Sequence, residues 1–61
     1  MNKQLTEIEH LADDIELTGY ERKQFISEIL REITTISKDD WNKFYSIADV
    51  VMQKYIDNET A

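Results

Sequence analysis

Sixty-one residues with no cysteine and a single histidine form one domain at most, with no disulfide or thiolate metal site to support it. Thirteen acidic residues against seven basic leave a net charge of −6. That charge disfavours binding to nucleic-acid phosphates or an anionic membrane surface, and it favours a basic partner or serves solubility alone.

The start of the chain, Met1 to Gln4, is polar, and no apolar core of the length a signal peptide needs follows it. No apolar run approaches the roughly 20 residues that span a bilayer. A soluble, cytoplasmic protein is the expectation. With no proline and one glycine, Gly19, the chain is broken into elements only where capping residues occur.

The first helix is predicted over about residues 6–17. Thr6 and Glu9 have the spacing of a capping box, in which a hydroxyl and a carboxylate satisfy each other's backbone N–H groups. Leu5, Ile8, Leu11, Ala12 and Ile15 follow at helical period and make a narrow apolar stripe. Six acids, Glu7, Glu9, Asp13, Asp14, Glu16 and Glu21, occur with no Lys or Arg between Lys3 and Arg22. Glu9, Asp13 and Glu16 fall along one flank, where like charges repel and do not help the helix.

The second helix is predicted over 19–35, opened by Thr18 with Glu21 and built on Phe25, Ile26, Ile29, Leu30, Ile33 and Ile36. The third is predicted over 38–57, opened by Ser37 with Asp40 and a staple between Ile36 and Trp41. Its stripe is Trp41, Phe44, Tyr45, Ala48, Val51, Met52 and Tyr55, with Ile47, Val50 and Ile56 to the side. The joints are short, so the expectation is an all-α, three-helix bundle over residues 1–61, with a frayed tail at 58–61.

The inventory for catalysis is poor. Ser27, Ser37 and Ser46 lack a base, no glycine-rich phosphate loop exists, and so short a chain cannot wall a substrate pocket. His10 with Asp13 or Asp14 has the one-turn spacing of a His–carboxylate pair, which reads as a surface pair and not a metal site. No enzyme, metal or cofactor is expected. A DNA-reading helix is disfavoured too: Lys43 and Lys54 on helix three are outnumbered by Asp39, Asp40, Asp49 and Asp57.

The segment Ile36-Ser37-Lys38-Asp39-Asp40-Trp41-Asn42-Lys43-Phe44-Tyr45-Ser46-Ile47-Ala48-Asp49 resembles part of the Hha/YmoA family. Its hexamer Phe44–Asp49 differs from that family's Phe-Tyr-Ser-Ala-Ala-Asp only at Ile47. The resemblance spans about a quarter of the chain, and Val50-Val51-Met52 departs from the family's polar continuation. It implies a small helical modulator that binds the nucleoid protein H-NS through acidic residues, with Asp49 at a partner-facing position.

The functional expectation is a non-enzymatic regulator or inhibitor, of the kind a phage or plasmid also encodes, that docks on a basic, nucleic-acid-binding protein. The expected surface is Glu9, Asp13 and Glu16 with Asp49, and Ile47 and Val50 as its apolar part. The competing expectation is a homodimer closed through the excess apolar face of helix three.

Overall fold

The computed structural model describes residues 3–60, with side chains described through Ile56. Three helices follow in order: α1 (Lys3–Asp14), α2 (Gly19–Ile33) and α3 (Trp41–Thr60). They form the expected all-α three-helix bundle. The long dimension of 34 Å is set by α3, whose twenty residues span about 30 Å at the α-helical rise. Helix α2 packs against both α1 and α3. The central element is therefore α2.

Helix α2 starts at Gly19 as expected, and the other helix limits differ from the sequence expectation. Helix α1 already includes Lys3, so Thr6 lies inside it and not at an N-cap position. It ends at Asp14, three residues before the expected end. There Glu16 N–H donates to the Asp13 carbonyl at 3.0 Å and Leu17 N–H to the Ala12 carbonyl at 2.9 Å. This pair of bonds is a Schellman closure, and its turning residue, Glu16, has φ of 60°. The motif brings the residue after the turn back onto the last helical turn, and both Leu17 and Ala12 are buried. Without proline or glycine at that point, the stop is driven by burying Leu17.

Thr18 occupies the N-cap position of α2 in extended conformation but makes no side-chain cap bond. Gly19 follows with φ of 60°, a conformation that admits glycine without strain. Helix α2 ends at Ile33, two residues early, because Thr34 and Thr35 turn their hydroxyls onto the carbonyls of Arg31 (2.8 Å) and Glu32 (3.0 Å). Helix α3 starts at Trp41 and not at 38. Its N-cap is Asp40, whose Oδ1 accepts from Lys43 N–H at 3.1 Å, while Phe44 N–H donates to the Asp40 carbonyl. Ser37 is displaced from the cap and instead accepts from Asp39 N–H within the connecting turn. At its far end α3 runs to Thr60, and Ala61 lies outside the described residues.

The core is built from one stripe per helix: Ile8 and Ala12, then Phe25, Ile29 and Ile33, then Phe44, Ala48, Val51 and Tyr55, closed by Leu17. Phe25 and Phe44 are fully buried, each worth about 1.5–3 kcal/mol from burial alone. The Phe25 and Tyr55 rings meet edge to face at 5.4 Å, which joins α2 to α3. Among the described residues one buried side chain, that of Gln4, belongs to a polar residue. Gln4 extends across to the 37–38 turn, where its Nε2 donates to the Lys38 carbonyl at 3.0 Å. No buried side-chain polar atom lacks a partner among the described residues.

Candidate functional site

Phenols and carboxylates tie the outer faces of the bundle together. Tyr45, half-exposed despite its place in the expected core stripe, donates its hydroxyl to Glu7 Oε2 at 2.6 Å and joins α3 to α1. That bond, with some burial and the Glu7 charge, raises the Tyr45 pKa above the ordinary phenol value. Tyr55 donates to Glu28 Oε1 at 2.8 Å, and Lys54 Nζ approaches Glu28 Oε2 at 3.8 Å. Burial first and the bond to Glu28 second push the Tyr55 hydroxyl up to about 12.

The six expected surface residues fall in different places. Glu9, Asp13 and Glu16 are exposed on α1 and its exit turn. Asp13 is engaged by Arg22 of α2 in an ion pair, so this position of the acidic flank is already neutralised from within the chain. Glu9 and Glu16 have no cationic partner among the described residues, nor does Asp49, which is exposed on α3. Among the described residues no three His, Cys, Asp or Glu side chains gather in a way that could hold a metal ion, Asp13 being paired with Arg22.

Ile47 and Val50 come together in an open groove of about 740 Å³ between α2 and α3. Val50 is 62 % exposed in it, while Ile47 is half-buried against the core and Val51 forms the buried floor. The α2 wall carries Glu28, Arg31 and Glu32, and the α3 wall carries Lys54. Asp49 is adjacent to Val50 in sequence, but one residue is about 100° of helical turn, and Asp49 does not line the groove. Nor do Glu9, Asp13 and Glu16, since α1 contributes nothing to it. The expected composite surface is thus two surfaces: acids on α1 and on a different side of α3, and an apolar groove between α2 and α3.

Sequence reasoning missed the α2 wall. Gln24, Glu28 and Arg31 recur at spacings of four and three along one flank, a signal that reads equally as a solvated helix face. Their meeting with Ile47, Val50 and Lys54 depends on how α2 and α3 are rotated against each other, which the pattern of a single helix does not specify.

No family model, no curated protein and no solved structure matches this chain. No helix among the described residues is long and apolar enough to cross a membrane.

Proposed function

We propose that this chain is a non-catalytic cytoplasmic regulator that binds a basic protein, of the kind that itself binds nucleic acid, through unpaired carboxylates on its surface. The observation that carries the reading is the contrast among its acids. Asp13 is neutralised by Arg22 and Glu28 is approached by Lys54, whereas Glu9, Glu16 and Asp49 face solvent and enter no ion pair among the described residues. A chain of net charge −6 with such groups free attracts a positively charged partner over about a Debye length and gains specificity from where the charges sit.

Asp49 is common to this surface and to the segment that resembles the Hha/YmoA family, so a nucleoid protein of the H-NS type is the first partner to try. The test is titration calorimetry of the purified chain against such a protein at low and high salt, with Glu9→Gln, Glu16→Gln and Asp49→Asn variants. Binding should fall steeply with salt, and each neutral variant should lose affinity severalfold at low salt and little at high salt. Binding that ignores both salt and these three substitutions refutes the electrostatic surface.

A further inference from the structure

We propose that the groove between α2 and α3 is the contact face of a homodimer, occupied by the same groove of a second copy.

Two acids, Glu28 and Glu32, and two bases, Arg31 and Lys54, line the groove, so it is neutral while the whole chain carries −6. All the excess negative charge therefore lies outside it. A basic partner is drawn to the rest of the surface and gains no long-range attraction here. Two copies that repel elsewhere can meet at this one balanced face.

Glu28 and Lys54 approach each other at 3.8 Å on one side of Val50, and Arg31 and Glu32 lie further along α2, towards Ser46 and Ile47. Turned by a two-fold axis near Val50, one copy sets Glu28 against the other's Arg31 and Lys54 against the other's Glu32. Every opposed pair is then of opposite sign, the self-complementarity an isologous contact requires. At the axis Val50 meets its own copy, which removes from water the most exposed aliphatic side chain of the described residues.

A 61-residue chain with no disulfide buries a modest share of its surface, and association is one of the few remaining supports. The groove is short and partly polar, so the dimer is a weak one that forms as concentration rises.

The test is sedimentation of the chain alone from low micromolar to millimolar concentration, so it is independent of any other partner. The wild type should shift from monomer to dimer across that range, and Val50→Asp should remain monomeric. Glu32→Lys and Lys54→Glu should each be monomeric, because each opposes like charges twice across the axis. Mixed in equal amounts they should form a heterodimer. The lysine introduced in one variant then faces the glutamate introduced in the other, and at the second contact the native Lys54 faces the native Glu32. All three positions lie on the surface, and circular dichroism verifies that the variants fold. A wild type that stays monomeric throughout overturns the proposal. So does a dimer that survives Val50→Asp, or a failure of the two charge variants to pair when mixed.

Discussion

Replacing Glu16 by glycine should stabilise the protein, and the size of the gain follows from the turn that ends α1. Glu16 holds φ of 60° at the turning position of the Schellman closure. A non-glycine L residue there costs roughly 1–2 kcal/mol, because its Cβ crowds the following carbonyl. Glycine removes that cost but enlarges the freedom of the unfolded chain by roughly 0.5–1 kcal/mol. The net gain is about 0.5–1 kcal/mol, which for a domain near this size raises the melting temperature by roughly 2–8 °C.

The substitution also removes a carboxylate from beside the negative end of the α1 dipole, worth a few tenths of a kcal/mol at an exposed site. Glu16→Gln isolates that part, since glutamine keeps the strain and drops the charge. Glu16→Ala keeps the strain with a shorter side chain. Thermal melts followed by circular dichroism, at a concentration low enough to keep the chain monomeric, should rank glycine well above glutamine, with alanine near glutamine. A glycine variant no more stable than the glutamine variant would refute the argument that backbone strain resides at this position.

Three further outcomes follow from the joints and the buried phenol. Asp40→Ala removes the side chain that accepts from Lys43 N–H and should cost about 1 kcal/mol in urea titrations, whereas Thr18→Ala should change little, within about 0.5 kcal/mol. Tyr55 has a folded pKa of about 12 against an ordinary value near 10, so it is the protonated phenol that the fold favours. Its contribution is present in full below pH 10 and is lost as pH rises from 10 through about 12. A two-unit shift bounds it at about 2.7 kcal/mol, and solvent reaching Glu28, a third exposed, reduces this to about 1 kcal/mol. Alkaline unfolding of Tyr55→Phe should therefore lack that loss across pH 10–12; an unchanged alkaline profile would remove Tyr55 from the account.

The fold was legible because period and composition both point to helices, and each stripe supplies the core residues observed. Ile8, Ala12, Phe25, Ile29, Phe44, Ala48 and Val51 all stand in the predicted stripes and are all buried. The joints were less legible. Thr6 and Ser37 have the right side chains in the right spacing to start helices, but tertiary contacts chose differently. Gln4, anchored on the Lys38 carbonyl, belongs to an α1 that already extends back to Lys3. Asp40 supplies the same capping chemistry as Ser37 three residues later, next to the rings of Trp41 and Phe44 that the core requires. Tyr45 was misplaced for a related reason: its ring fits an apolar stripe by period, yet its hydroxyl finds Glu7 at the surface. The proposed surfaces were legible as residues but not as a patch, because which α3 flank meets α2 is decided by packing between helices.

Glu16 joins the stability argument to the functional one. Two local costs converge on this residue, an unfavourable backbone conformation and a negative charge at the wrong end of a helix. Glycine would relieve both, and the turn bonds that hold the position are made by backbone atoms alone. The proposed docking surface gives a use to a carboxylate that the turn itself disfavours, since at the rim of the α1 exit it is free to meet a cation from outside. Glu9, in regular helix, carries no such penalty and has less to say on this point. The two readings of Glu16 therefore predict opposite changes in one variant: Glu16→Gly should melt higher than wild type and yet bind a basic partner more weakly at low salt. If it melts higher and binds unchanged, Glu16 is a tolerated imperfection of the turn, and the docking surface contracts to Glu9 and Asp49.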